Sequence, residues 1–154
     1  QINIYIIINK MVGTENIIIT SDTEFIQQAR MMRRNLGGGM RQVGIIASAA
    51  EFALQNNVKR LTDDHSNAKM IANALSQFTE VEINVDDVET NIVYFTLTNI
   101  DGDQFEQTLL EKGLSISRPK SKQEIRIVTH IDVSEQDTKQ AIEILQSAII
   151  DMSN

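Results

Sequence analysis

The sequence lacks several residue types and patterns that define whole classes of protein. Its 154 residues include no cysteine, one proline and two histidines, His65 and His130. Without cysteine there are no disulfides and no thiolate chemistry, which fits a cytoplasmic protein. The two histidines are too few and too far apart to predict a zinc site. No apolar run approaches the roughly 20 residues that span a bilayer, so no membrane segment is predicted.

Positive charge is also scarce. Fourteen Lys and Arg face 21 Asp and Glu, which leaves a formal net charge of −7. Such an acidic chain argues against nucleic acid or an anionic membrane surface as a partner. The hydrophobic share of 42% is that of an ordinary globular protein, and the length suffices for a domain with its own core.

The chain opens on a nearly continuous isoleucine-rich run at residues 2–8. Such a run is typical of a strand buried on both faces in the middle of a sheet. A central strand needs neighbours on both edges, and few candidate strands occur before residue 80. We therefore expect the chain to be the C-terminal part of a longer protein, with the missing N-terminal part as its partner.

Periodicity and turn residues predict the other elements. A second strand is predicted over 15–20, and helices over 23–35, 40–55, 58–78 and 104–112. Further strands are predicted over 81–85, 91–98, 114–117 and 124–130, and a last helix begins at Ser134 with a capping-box acid at Asp137. Beyond residue 80, strands with helices on one side indicate an α+β module of antiparallel character.

Three consecutive glycines, Gly37 to Gly39, separate the first two predicted helices, and Arg41 follows two residues later. A plain turn needs only one glycine. Three are costly to order, because glycine loses more backbone freedom on folding than any other residue. A fixed positive charge next to a backbone that can be closely approached suits an anionic ligand. The alternative, a plain helix linker with a solvated arginine, is favoured on local grounds alone.

Lys10 follows the apolar first strand directly. Partial desolvation at such a place disfavours the ammonium form, which makes this lysine a candidate nucleophile for a Schiff base. The commoner interpretation is a strand-terminal lysine that extends to solvent.

Arg126 lies in the predicted strand over 124–130, where alternation places it on the face opposite Ile125 and Ile127. Its guanidinium suits a substrate carboxylate, which it can bind with two parallel hydrogen bonds. An exposed arginine on the solvated side of a half-buried sheet is equally compatible with this segment.

From about Phe25 onward, five strings of the sequence resemble the threonine aldolase family, pyridoxal-phosphate enzymes of the aspartate-aminotransferase fold type. The strings lie at residues 29–42, 56–61, 64–68, 89–93 and 126–134. The first contains the triple glycine, and the last reads Arg-Ile-Val-Thr-His. The resemblance covers nearly the whole chain.

This resemblance implies an α/β parent protein of the pyridoxal-phosphate-dependent transferase-like fold, fold type I. Residues 1–55 would end the large cofactor-binding domain, and residues 56–154 would form a small α+β C-terminal domain with a small antiparallel sheet. The implied activity is that of a lyase that cleaves a β-hydroxy-α-amino acid to glycine and an aldehyde. The resemblance also implies a homo-oligomer.

Site residues follow from the same resemblance. Lys10 falls on the catalytic lysine that binds pyridoxal 5'-phosphate, and Arg126 falls on the arginine that holds the substrate α-carboxylate. Arg41 and Arg34 fall on basic residues at the mouth of the site, where Arg41 also contacts the cofactor.

Residues 11–16 depart from the family pattern, in which a loop rich in glycine and containing proline follows the lysine. Here one glycine is kept, proline is absent and an acid, Glu15, is introduced. Two alternatives therefore stay open: a non-catalytic fragment or degenerate paralogue that retains the fold, and a related pyridoxal-phosphate β-eliminating lyase.

Overall fold

The computed structural model describes residues 3–9, 14–116 and 123–153, with side chains described from residue 19 onward within these ranges. The chain forms two compact units, residues 1–59 and residues 60–154. No helix in these ranges is both long and apolar enough to cross a membrane.

The first unit begins with a two-stranded antiparallel sheet. Strand β1 (Asn3–Asn9) pairs with β2 (Thr14–Thr20), in a register that runs from Asn3 opposite Thr20 to Asn9 opposite Thr14. Isoleucine-rich segments favour this extended conformation because a β-branched side chain restricts its own χ1 rotation. The strand predicted over 15–20 is confirmed.

Helix α1 (Thr23–Asn35) matches its predicted range. Asp22 is the N-cap of the helix, and its carboxylate accepts a hydrogen bond from the Phe25 amide at 2.8 Å. It ends in a Schellman turn, in which the Gly38 amide donates to the Arg33 carbonyl at 2.8 Å and the Gly37 amide donates to the Arg34 carbonyl at 3.1 Å. Gly37 has a φ of +83°, which favours glycine.

Helix α2 (Gly44–Asn56) begins four residues later than predicted. Residues 41–43 form a turn instead, and Gln42 within it has a φ of +52°. Helical geometry requires a negative φ, so the helix starts only after this residue. Arg41 therefore precedes the helix and does not lie in its first turn.

The second unit contains a three-stranded antiparallel sheet in the order β3-β4-β5. Its strands are β3 (Val81–Glu82), β4 (Ile92–Leu97) and β5 (Glu124–Val128). In the pairing of β4 with β5, Val93 lies opposite Ile127 and Phe95 opposite Ile125. These four apolar side chains share one face of the sheet, because side chains alternate along a strand.

Three helices complete the second unit: α3 (Leu61–Leu75), α4 (Gly102–Glu111) and α5 (Glu135–Ser153). Ser134 and Asp137 form the predicted capping box at the start of α5. The Asp137 carboxylate accepts hydrogen bonds from the Ser134 hydroxyl and amide at 2.6 and 2.9 Å, and these bonds lower the pKa of Asp137.

One hydrophobic core joins these helices to the inner face of the sheet. Helix α3 supplies Ala68, Ile71, Ala72 and Leu75, all nearly fully buried. Larger apolar side chains from the other elements pack against them, among them Val93, Phe95, Leu97, Phe105, Leu109, Ile125, Leu145 and Ile149. The predicted α+β organisation, with helices on one side of the sheet, is confirmed.

Besides α2, other predicted elements differ from the structure in extent or kind. Residues 114–116 form no strand; Leu114 and Ile116 instead pack against the core as irregular chain. The strand predicted over 81–85 ends at Glu82, because the Asn84 side chain accepts a hydrogen bond from the Asp86 amide and starts a 3₁₀ turn. Helix α3 is shorter at both ends than the predicted range 58–78.

Candidate active site

Arg126 lies on the outer face of the C-terminal sheet. It pairs across the strands with Tyr94 of β4, on the side opposite the core residues Val93 and Ile127. The arginine is half-buried, whereas Tyr94 is exposed. In the part of the chain that the structure describes, the Arg126 side chain makes no hydrogen bond or ion pair. A half-buried guanidinium without a protein partner is a ready site for a carboxylate.

The strand that carries Arg126 is fixed at its far end. Thr129, one residue beyond β5, is buried, and its hydroxyl donates to the Asp64 carbonyl of α3 at 2.7 Å. The Thr129 amide donates to the Asn91 carbonyl at 3.0 Å, and the Asn91 side-chain amide donates to the Thr129 carbonyl at 2.7 Å. The residues of three separate sequence strings, 64–68, 89–93 and 126–134, thus meet in one hydrogen-bonded cluster.

An ion pair strengthens the helix side of this cluster. Arg60 donates to the two Asp64 carboxylate oxygens at 2.6 and 3.0 Å, which is a bidentate geometry. The Asp64 side chain is almost fully buried, so the guanidinium offsets the cost of burying its charge. Asn67, one turn further along α3, donates to the Val133 carbonyl at 3.2 Å.

His130 follows Thr129 and is half-buried. Its Nδ1 accepts a hydrogen bond from the Asp132 amide at 3.2 Å and lies 3.5 Å from the Asp132 carboxylate. The described residues contain no group of three or more His, Cys, Asp or Glu side chains arranged to hold a metal ion. The imidazole is therefore engaged by its own loop, while the Arg126 guanidinium is available to a ligand.

An open groove of about 350 Å³ lies on the outer face of the sheet. Residues of all three strands and of the segment after β3 line it: Glu82, Ile83, Asn84, Tyr94, Phe95, Thr96 and Glu124. Tyr94 belongs both to this groove and to the cross-strand pair with Arg126. Because the groove carries two glutamates, a carboxylate ligand is favoured at Arg126 rather than within it.

The other predicted site residues belong to the first unit. Arg34 lies in the last turn of α1, and Arg41 lies in the turn before α2; both side chains are exposed. Neither makes an ion pair among the described residues. Lys10 lies outside the described residues. Each of these arginines is thus accessible to an anion, while Arg126 belongs to the second unit.

Sequence reasoning assigned no role to Tyr94, Asn91 or Thr129. Alternation along the predicted strand over 91–98 places Tyr94 on the face of the sheet opposite to that of Val93 and Phe95. This pattern indicates that Tyr94 lies on the outer face. The contact between Asn91 and Thr129 joins residues 38 positions apart, which periodicity does not reveal.

Comparison with protein families assigns the chain to a known family. The model of the beta-eliminating lyase family matches residues 9–98, which is more than half of the chain. The chain therefore belongs to the beta-eliminating lyase family.

Several curated relatives of the chain are threonine aldolases. It is 34% identical over 138 residues to low-specificity L-threonine aldolase 1 of Arabidopsis thaliana, covering 88% of this chain and 38% of that protein. It is 32% identical over 130 residues to the low specificity L-threonine aldolase of Escherichia coli strain K12, covering 84% and 37%. The resemblance to the threonine aldolase family is confirmed, and the chain spans less than two fifths of the length of these relatives.

A solved structure shares the fold. The glutamate decarboxylase of Lactobacillus brevis CGMCC 1306 superimposes with a TM-score of 0.53 at 18% identity, covering 97% of this chain and 33% of that one. At this identity the likeness concerns the fold alone. Together with the family match, it confirms the predicted fold class, a fold type I, pyridoxal-phosphate-dependent transferase-like fold.

Proposed function

We propose that this chain is part of a pyridoxal-phosphate-dependent aldehyde-lyase that cleaves a β-hydroxy-α-amino acid, such as threonine, to glycine and an aldehyde. The observation that carries the proposal is the half-buried Arg126 guanidinium, which faces away from the core and has no partner among the described residues. Membership of the beta-eliminating lyase family and the likeness to threonine aldolases support the same activity.

The chemistry of the available donors fits pyridoxal 5'-phosphate. The cofactor needs a primary amine for its aldehyde and cationic or amide donors for its phosphate. We assign the amine to Lys10, while the exposed Arg41 guanidinium is a suitable donor to the phosphate. When bound, the cofactor supplies an electron sink for the electrons released on cleavage of the Cα–Cβ bond.

The residues of this chain have distinct roles in that reaction. Arg126 binds the substrate α-carboxylate with two parallel hydrogen bonds, which limits the orientations of the Cα substituents. Arg41 and Arg34 hold positive charge at the mouth of the site and attract the anionic end of the substrate. We place the base that takes the β-hydroxyl proton in the N-terminal part of the protein.

We also propose how the whole protein is organised. Residues 1–55 end the large cofactor-binding domain, and residues 56–154 form the small C-terminal domain. The N-terminal part supplies the remainder of the cofactor site. The protein is a cytoplasmic homo-oligomer.

The full-length protein with pyridoxal phosphate tests this proposal. With L-threonine it is expected to release glycine and acetaldehyde in equal amounts. Arg126→Gln removes a charge-assisted pair of hydrogen bonds, so kcat/KM is expected to fall roughly 10- to 100-fold. The matched control Arg30→Gln, an exposed arginine of α1, is expected to retain activity. A kcat/KM for Arg126→Gln equal to that of the control contradicts the assigned role.

A second substitution tests the lysine. Lys10→Ala is expected to abolish both the visible absorption band of the bound cofactor and the activity, whereas Lys59→Ala retains them. An unchanged band in Lys10→Ala refutes the role of this residue.

The description of the matching family favours one alternative reaction, β-elimination on the same cofactor. Elimination from threonine yields ammonia and a keto acid, while aldol cleavage yields glycine and an aldehyde. The product assay therefore separates the two reactions. If the full-length protein mixed with pyridoxal phosphate lacks the visible absorption band of bound cofactor, a non-catalytic paralogue is favoured instead.

A further inference from the structure

Thr129 has all three of its hydrogen-bonding groups engaged at the end of β5. Its amide and carbonyl exchange hydrogen bonds with the carbonyl and the side-chain amide of Asn91, at 3.0 and 2.7 Å. Its hydroxyl donates to the Asp64 carbonyl in α3 at 2.7 Å. We call Asn91 and Thr129 the strand clamp, because they join β5 both to β4 and to the helix layer.

The hydroxyl of Thr129 is specific to this role. Valine has the same shape and packs equally well at a buried position, whereas a buried hydroxyl is costly unless it is hydrogen-bonded. Thr129 is 1% exposed, and its bond to the Asp64 carbonyl satisfies the hydroxyl. The threonine therefore contributes a directional link between the strand and the helix as well as packing.

This link acts on Arg126 through the backbone. Arg126 lies in β5, three residues before Thr129, and its guanidinium makes no hydrogen bond or ion pair within the described ranges. The position of the guanidinium is therefore set by the strand rather than by partners of its own. Two parallel hydrogen bonds to a carboxylate need an arginine held within about 0.5 Å of its proper place.

We propose that Asn91 and Thr129 are positioning residues that hold β5 so that Arg126 can bind the substrate α-carboxylate. This inference rests on the proposed function. Neither residue touches the substrate; the clamp restrains the strand, and a loosened strand binds the carboxylate more weakly without altering the bond-breaking step. The signature is a raised KM for the amino acid with a nearly unchanged kcat.

The experiment uses the full-length protein with bound pyridoxal phosphate and L-threonine. Thr129→Val removes the hydroxyl and keeps the shape, and it is expected to raise KM about three- to tenfold, the effect of one lost hydrogen bond. Thr129→Ser keeps the hydroxyl and is expected to restore KM to within about twofold of the wild-type value. Asn91→Ala is expected to raise KM in the same way as Thr129→Val.

Thr138→Val is the matched control. Thr138 is also a fully buried threonine whose hydroxyl donates to a backbone carbonyl, that of Ser134 at 2.9 Å, but it lies in α5. It is expected to lower the melting temperature without changing KM. An equal rise of KM in Thr138→Val, or an unchanged KM in both Thr129→Val and Asn91→Ala, overturns the proposal.

Amide hydrogen exchange in the same proteins separates this inference from the proposed function. Faster exchange of the residue 125–128 amides in Thr129→Val than in Thr138→Val supports the clamp, whatever reaction the enzyme catalyses; equal exchange refutes it. An unchanged kcat/KM in Arg126→Gln refutes the role of Arg126 itself. Wild-type protein that does not cleave threonine refutes the proposed function.

Discussion

The Arg60–Asp64 pair shows how strongly the value of an ion pair depends on its surroundings. Both Arg60–Asp64 and Lys139–Glu135 join positions i and i+4 on a helix or at its start. The first is bidentate, with a nearly buried carboxylate, whereas both side chains of the second are exposed. Lys139 lowers the pKa of Glu135 through a hydrogen bond and its charge, but solvent screens this interaction.

These two pairs give a prediction about single residues. Arg60→Met leaves the Asp64 carboxylate buried without its partner, so the free energy of unfolding is expected to fall by about 1–3 kcal/mol. Lys139→Met is expected to leave the midpoint of unfolding within experimental error. Urea denaturation followed by circular dichroism measures both. Equal effects of the two substitutions contradict the importance of burial.

For single residues, the sequence predicted the face of the sheet on which Arg126 lies, but it did not predict the long-range contacts that surround its strand. Alternation along 124–130 placed Arg126 on the face opposite Ile125 and Ile127, and the structure has it there. Residue spacing does not show that Asp64, Asn91 and Thr129 meet, because each contact joins distant positions. The role of Lys10 stays a prediction.

At the scale of elements, the triple glycine is explained mainly by the end of α1. Gly37 adopts a positive φ, and Gly38 closes the Schellman turn. A Cβ on Gly38 would lie 2.8 Å from Cγ and 3.0 Å from the carbonyl oxygen of Arg33. Gly39 has no such constraint, since the nearest heavy atom to its Cβ would be 3.9 Å away. Two of the three glycines are therefore required by the turn itself.

The turn predicts a graded response to alanine. Gly37→Ala and Gly38→Ala are each expected to lower stability by about 1–2 kcal/mol, the first through a positive φ and the second through steric overlap. Gly39→Ala is expected to have no measurable effect. Thermal unfolding followed by the helical circular dichroism signal compares the three variants. A destabilised Gly39→Ala would assign the third glycine a role outside this turn.

Element types were more predictable than element ends. The range of α1 follows from local signals, an Asp22 cap and a glycine stop, and it was predicted to the residue. The start of α2 depends on the positive φ of Gln42, which no residue preference indicates. Leu114 and Ile116 have the composition of a strand but pack as irregular chain, since burial satisfies an apolar side chain in either conformation.

At the scale of the whole molecule, the second unit has its own hydrophobic core. Neighbouring positions in α4 illustrate its boundary: Leu109 is 0% exposed, and Leu110 is 57% exposed. In the first unit, the described residues with buried apolar side chains are Ala50 and Ala53 of α2. Among the side chains that the structure describes, most of the buried apolar ones thus belong to residues 60–154.

This difference predicts opposite outcomes for two adjacent leucines. Leu109→Ala creates a cavity in the core and is expected to lower the free energy of unfolding by about 2–5 kcal/mol. Leu110→Ala removes a largely solvated side chain, and the expected change is below about 1 kcal/mol. Chemical denaturation of the two variants checks this. Similar losses would contradict the assignment of Leu109 to the core.

The sequence by itself determined the class of the fold, the family, the range of the first helix and the face of the sheet on which Arg126 lies. These features rest on local preferences and on side-chain alternation, which neighbouring residues encode. Only the tertiary structure decided that Arg126 lies half-buried opposite Tyr94 without a partner among the described residues, and that Asn91, Thr129 and Asp64 hold its strand. The physical reason is that such contacts join residues far apart in sequence, and they form only when the sheet packs against the helices.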